Sequence, residues 1–131
     1  MDLEQILRET RTVAIVGASP NPMRASHEVW SYLKSASNYD LYLVNPTIDE
    51  VEGTAVYPSL ADLPVVPDLV DVFRRREHLP GVLTDTIKVG AKVLWLQLGL
   101  WHDQVARDGA AAGLQVVMDR CLKVDHARLL R

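Results

Sequence analysis

The stretch Thr12-Val13-Ala14-Ile15-Val16-Gly17-Ala18-Ser19-Pro20-Asn21-Pro22 decides the fold. Its first five residues are β-branched or small and apolar without alternation, the pattern of a fully buried strand. Gly17 stops the run and permits a tight turn at positive φ. Ser19, Pro20, Asn21 and Pro22 are turn formers that cannot continue the strand, and a helical pattern begins after them. A buried strand, a turn of small residues and a helix leave backbone N–H groups pointing outward at the helix's positive end, where an anionic phosphate is best held. The stretch predicts a phosphate-binding turn, with the rest of the chain as its support.

On its N-terminal side, Leu3, Ile6 and Leu7 lie at helical spacing and predict a short helix over residues 2–9. On its C-terminal side, residues 26–36 read as a helix with Val29, Trp30 and Leu33 in one stripe. Residues 41–44 form a second buried strand, halted by Asn45-Pro46. Residues 50–53 read as a polar turn and 55–57 as a short edge strand, and Ser59 is placed to cap one helical turn through Leu63. Residues 69–73 form the next strand, broken by Arg74-Arg75-Arg76. A helix over residues 79–89 turns Val82, Leu83, Ile87 and Thr86 inward. A strand at 92–96 ends in the turn Gln97-Leu98-Gly99. A helix at 103–112 stops at Gly113, a last strand covers 115–118, and a final helix covers 125–131. Short apolar strands alternating with helices predict an α/β domain of three layers, with a parallel sheet covered on both faces. With residues 55–57 as the third strand, the doubly wound order 3-2-1-4-5-6 puts the first strand beside the fourth. Ligands in such folds bind outside the carboxyl ends of the strands at that switch point.

The length of 131 residues fits one domain, 1–131, with one core. No run of about 18 apolar residues predicts a membrane helix, and the acidic start Met1-Asp2-Leu3-Glu4-Gln5 lacks the basic-then-apolar order of a signal peptide. The single cysteine, Cys121, excludes an internal disulfide and suits a reducing cytoplasm. A net charge of −3 argues against broad nucleic-acid binding, which needs an excess of Lys and Arg. His27, His78, His102 and His126 are spread too widely for a helical zinc pair, and no CxxC is present, so no metal site is expected. No glycine-flanked serine elbow occurs.

A dinucleotide site normally shows Gly-x-Gly-x-x-Gly after the first strand and an acidic residue about 20 positions on. Here Ser19 and Pro22 occupy the second and third glycine positions, and the second strand ends in Asn45-Pro46. Both departures weigh against NAD. Gly-x4-Gly-Lys-Ser/Thr is absent as well. The chain resembles the small stand-alone coenzyme A-binding proteins, whose domain is similar to the N-terminal CoA-binding domain of the succinyl-CoA synthetase α subunit. The resemblance is carried in order by Val16-Gly17-Ala18-Ser19-Pro20, Arg24, Leu43-Val44-Asn45-Pro46, Gly53, Tyr57-Pro58-Ser59-Leu60, Asp68-Leu69-Val70-Asp71-Val72-Phe73-Arg74-Arg75, Trp95-Leu96-Gln97-Leu98-Gly99, Ala112-Gly113-Leu114, Val117-Met118-Asp119-Arg120-Cys121, Asp125-His126 and Arg128-Leu129. It implies a Rossmann-like domain that binds CoA, with the pyrophosphate over the Gly17–Ser19 turn and Ala18, Ser19 and Arg24 as phosphate contacts. It further implies that Asn45 and Pro46 border the adenine and ribose, and that Phe73 and Arg74 line the next wall. In the synthetase subunit a lysine shortly after the second strand meets the 3′-phosphate. Thr47-Ile48 stands there in this chain, so Arg24, Arg74 or Arg75 would have to supply that charge.

Each of these residues also has a plainer role. Gly17 serves any turn of this kind, Ser19 can brace the turn, and Arg24 can be solvated. Three arginines at a helix N-terminus oppose its dipole and ask for an anion, unless Glu77 and Asp85 pair with them. Cys121, after Asp119-Arg120, is either packed and inert or a thiolate favoured by the neighbouring arginine. Trp95 belongs to the core, and Trp101 is expected at the surface. The expected function is binding of CoA or an acyl-CoA without catalysis. The rivals are a thiol redox protein in which Cys121 forms a mixed disulfide with CoA, and an NAD-responsive binding module. Edge strands or the last helix offer surfaces for a homodimer or a protein partner.

Overall fold

A computed structural model of the chain describes residues 1–130. Seven strands form one sheet: β1 (Thr12–Val16), β2 (Asp40–Val44), β3 (Glu50–Val51), β4 (Thr54–Tyr57), β5 (Leu69–Val72), β6 (Val93–Leu96) and β7 (Gln115–Val117). Their spatial order is β3-β4-β2-β1-β5-β6-β7. Every neighbouring pair is parallel except β3 with β4. The six parallel strands follow the expected doubly wound order, with β4 as its third strand. The antiparallel β3 is an addition that the sequence reading took for a turn. It is two residues long, too short to carry a period, and polar neighbours flank its one buried residue, Val51.

The apolar runs divide between the two faces of the sheet because side chains alternate along a strand. Val13, Ile15, Leu43, Leu69, Val93, Trp95 and Val117 point to one face. There they meet Ile6 and Leu7 of α1 (Leu3–Glu9), Val29, Trp30 and Leu33 of α2 (Ala25–Ala36), and Leu122 of α5 (Leu122–Leu130). Ala14, Val16, Val44, Val70, Val72, Leu94 and Leu96 face the other way, toward α3 (Leu79–Val89) and α4 (Asp103–Ala111). Burial of each Val, Leu or Ile side chain contributes about 1.5–3 kcal/mol.

Two helices differ from their sequence reading. In α3, Leu79, Val82, Leu83 and Thr86 face inward and Ile87 is 40% exposed. Thr86 tolerates full burial because its hydroxyl donates to the Val82 carbonyl at 2.7 Å. That leaves Ile87, one position on, at the edge of the stripe. A short 3₁₀ turn, Arg76–His78, precedes α3, so the arginine run stands ahead of the helix rather than in its first turn. Helix α5 begins at Leu122, three residues earlier than expected. Leu122 is fully buried, and its N–H donates to the Gln97 side-chain oxygen at 3.0 Å. Arg120 then clamps Asp125 with bonds of 2.6 and 2.8 Å, and Arg128 adds one at 3.2 Å. Burial pushes the Asp125 carboxyl up, but hydrogen bonds from the two arginines outweigh it and hold the group below its usual range. The expected end of this helix at Arg131 lies outside the described residues. Among the described residues no helix is long and apolar enough to cross a membrane.

Asp71 is the anomaly of the core. It lies on β5 between Ile15 and Trp95, fully buried, with neither carboxylate oxygen hydrogen-bonded among the described residues. Burial pushes its carboxyl well above the ordinary range.

Candidate functional site at the carboxyl edge of the sheet

Four loops meet where β1, β2, β5 and β6 end. They enclose a cavity of about 600 Å³, a size usual for ligand sites, which run from about 300 to 1,000 Å³. The turn after β1 supplies Gly17, Ala18, Ser19 and Pro20, and the start of α2 supplies Arg24, Ala25 and Ser26. The loop after β2 supplies Asn45, Thr47 and Ile48. Phe73, Arg74 and Arg75 follow β5, and Gln97, Leu98 and Leu100 follow β6.

Gly17 creates this space by closeness to its neighbour. It has φ +94, and a Cβ built on it would stand 2.9 Å from the Phe73 carbonyl oxygen. The turn after β1 therefore lies against the end of β5. The Gly17 and Ala18 N–H groups both donate to the Val44 carbonyl, at 2.9 and 3.2 Å. They are occupied by the protein itself, which gives these two residues a scaffolding role in the turn. The Ser19 hydroxyl accepts from the Asn21 N–H at 3.1 Å, so it braces the turn while keeping its own proton to donate.

The open donors are at the start of α2. The first turn of any helix leaves N–H groups without intrahelical acceptors. Arg24 at the N-cap makes no side-chain cap bond. Ala25 and Ser26 line the cavity directly behind it, so this helix end presents amides and the positive end of its dipole to the space.

Arg24 is exposed and Arg74 half-buried, and among the described residues neither has a carboxylate partner. Arg75 stands 4.0 Å from Glu77, at the limit of an ion pair. Arg76 turns away and donates to the Trp101 carbonyl at 3.0 Å. Asp85 pairs with none of the arginines and shares a smaller neighbouring hollow with Arg74. Pro46 lines that hollow, together with Pro58 and Ser59, and not the main cavity.

Asn45 is half-buried, and both ends of its side-chain amide are bonded. Its amide nitrogen donates to the Ala18 carbonyl at 2.8 Å, and its oxygen accepts from the Thr47 N–H and hydroxyl, each at 2.8 Å. It ties the loop after β2 to the turn after β1. Asn45→Ala is expected to lower stability by about 1–2 kcal/mol, since a bridging side chain is lost and partners are left unpaired. Urea denaturation of the two proteins checks this.

The sequence reading singled out Gly17, Ala18, Ser19, Arg24, Asn45, Pro46, Phe73, Arg74 and Arg75; the fold brings eight of these nine to one cavity and leaves Pro46 in the neighbouring hollow. It did not single out Thr47, Ile48, Leu98 or Leu100. The turn at Gln97-Leu98-Gly99 was visible as a strand end, and that position was the available signal. Next to the cavity, His27 of α2 contacts Glu52 of the β3–β4 turn and holds that hairpin against the helix. The hydrogen bond from His27 lowers the Glu52 carboxyl below its usual range. Cys121 is half-buried against the α2/α5 core and is not among the residues that line the cavity.

The doubly wound, mostly parallel sheet with helices on both faces makes this a Rossmann-like domain. A family model described as a CoA binding domain matches residues 11–127, and the chain belongs to that family. It is 39% identical over 126 residues to the uncharacterized protein YneT of Bacillus subtilis (strain 168), covering 96% of this chain and 93% of that one. A solved structure, a hypothetical protein from Pyrococcus horikoshii OT3, superposes with a TM-score of 0.94 at 38% identity, covering 99% of this chain and 91% of that one. The acetate–CoA ligase [ADP-forming] II subunit alpha of Pyrococcus furiosus is 29% identical over 82 residues, which are 63% of this chain but only 18% of that subunit.

Proposed function

We propose that the cavity binds coenzyme A or an acyl-CoA and performs no chemistry on it. One observation carries this reading: the open first turn of α2 faces the same space as Arg24 and Arg74, and neither arginine has an acidic partner among the described residues. Membership of the CoA binding domain family supports it. The pyrophosphate would rest on the Ala25 and Ser26 amides and the Ser19 hydroxyl rather than on Gly17 and Ala18, whose N–H groups are taken by Val44. Arg74, half-buried between the cavity and the hollow holding Pro46, would serve the ribose phosphate, because Thr47 and Ile48 offer no charge. Asn45 would position the walls rather than touch the adenine. The cavity lining contains no histidine, carboxylate or thiol, so nothing in it pairs a nucleophile with a base.

Calorimetric titration with CoA, dephospho-CoA and NAD tests this. Hydrogen bonds to charged groups contribute about 1.5–3 kcal/mol. Arg24→Ala and Arg74→Ala should therefore each weaken CoA binding by about tenfold or more, and Arg74→Ala should abolish any preference for CoA over dephospho-CoA. Absence of CoA binding, or CoA affinity untouched in both variants, defeats the reading. Tight NAD binding alone would put the NAD-responsive module in its place.

A further inference from the structure

The cavity is chemically lopsided. Its cations stand on two walls, Arg24 ahead of α2 and Arg74 with Arg75 after β5. The wall after β6 carries Leu98 and Leu100 instead. Leu98 is 70% exposed, and Trp101, three residues on, is 53% exposed. Single exposed apolar residues are ordinary on a mobile surface, but this loop is pinned along its length. The Leu100 N–H donates to the Gln97 carbonyl at 2.8 Å, and the Gly99 N–H donates to the Asp119 carboxylate at 2.7 Å. The Asp119 N–H donates to the Leu100 carbonyl at 2.9 Å, and Arg76 holds the Trp101 carbonyl. Asp119 makes its two bonds from φ +56, a left-handed conformation that aspartate adopts more readily than most residues. A loop held so firmly cannot fold back to hide Leu98, so that side chain stays presented at the lip of the cavity.

We propose that this lip is the subsite for an uncharged aliphatic acyl group, so that the preferred ligand is a short-chain acyl thioester of CoA rather than free CoA or a dicarboxylic acyl-CoA. The proposal rests on the CoA reading above. A ligand whose phosphates occupy the arginine-bearing walls has one uncharged arm left, the pantetheine with its acyl end, and of the two walls without a cation the one after β6, with Leu98 and Leu100, is more apolar than the one after β2, with Asn45 and Thr47. A chain lying on Leu98 and Leu100 leaves water together with the leucines, and each methylene so buried strengthens binding by about fourfold. A terminal carboxylate there would lose hydration against leucines, which disfavours it.

The test is calorimetry with CoA, acetyl-CoA, butyryl-CoA and succinyl-CoA on the wild-type chain and on Leu98→Ser, a change at an exposed position that the fold tolerates. Butyryl-CoA is expected to bind about 4- to 15-fold more tightly than acetyl-CoA, and succinyl-CoA more weakly than butyryl-CoA. Leu98→Ser should bring the acetyl and butyryl affinities together. CoA and all three thioesters binding equally would overturn the acyl subsite while leaving CoA binding intact. Tightest binding of succinyl-CoA, lost in Arg76→Ala, would also overturn it by placing a carboxylate on that arginine. Failure of CoA itself to bind would instead remove the reading beneath it.

Discussion

Replacing Gly17 by alanine is expected to lower the melting temperature by about 8–20 °C. Two costs add. The backbone at φ +94 is unfavourable for any residue with a Cβ, by roughly 1–2 kcal/mol. The new methyl would meet the Phe73 carbonyl at 2.9 Å, and backbone cannot swing away as a side-chain end can. Overpacking of that kind costs about 1–3 kcal/mol. Together they give about 2–5 kcal/mol, and a chain of this length loses roughly 4 °C per kcal/mol. Because Phe73 and Gly17 both line the cavity, the same change should displace two of its walls and weaken CoA binding along with stability. Differential scanning calorimetry with and without CoA checks both. An unaltered melting temperature would mean that the turn after β1 has room the structure denies it.

The second large effect concerns Asp71. Its carboxyl is fully buried without a partner, and burial raises its pKa well above the usual value. A group whose pKa is higher folded than unfolded binds its proton more strongly in the native state. Its contribution is complete below the unfolded pKa of about 3.9 and is lost as pH rises toward the folded pKa. Through that window stability should fall by up to about 1.4 kcal/mol per pH unit from this one group. Asp71→Val, which keeps a β-branched side chain on a buried strand, removes the carboxyl and should flatten this slope. The variant's advantage should grow with pH, reaching at least about 1–3 kcal/mol at neutral pH and above, the cost of one unsatisfied buried polar group. Urea denaturation at a series of pH values measures it. Parallel pH profiles for the two proteins would show that Asp71 has found a partner in solution.

Asp71 also shows where sequence reading stops. An aspartate within Leu69-Val70-Asp71-Val72 reads as part of a strand, and nothing local states which face it takes or whether a donor waits there. Only the register, which sets it between Ile15 and Trp95, reveals that it is enclosed by apolar side chains. Ile87 and Thr86 make the same point. A helical stripe is about one residue uncertain at its edges, and the choice fell to Thr86 because its hydroxyl could bond within its own helix. The strand β3 escaped notice because pairing with β4, rather than its own pattern, defines it.

Of the site, the strand ends and their small or basic residues were legible, since glycine, proline and clustered arginine act locally. Their division of labour was not. The Gly17–Ser19 turn read as the seat of the pyrophosphate, and the fold has the Gly17 and Ala18 amides donate to Val44. Asn45 read as bordering the adenine and ribose, and in the fold it also bridges two loops at the cavity wall. Pro46 read as its companion and lies in the next hollow. Each outcome depends on which group from a distant segment reaches the same point first.

The sequence by itself determined the alternation of buried strands and helices, the doubly wound order and the edge at which a ligand site must lie. Those follow from hydrophobic period and turn chemistry, which are properties of neighbouring residues. Tertiary structure alone decided which backbone donors remain open, which arginines lack an acid, and that an apolar loop lines the same cavity as those arginines. Hydrogen-bond satisfaction and charge pairing are settled between residues far apart in the chain, and only the folded arrangement brings those residues within reach of one another.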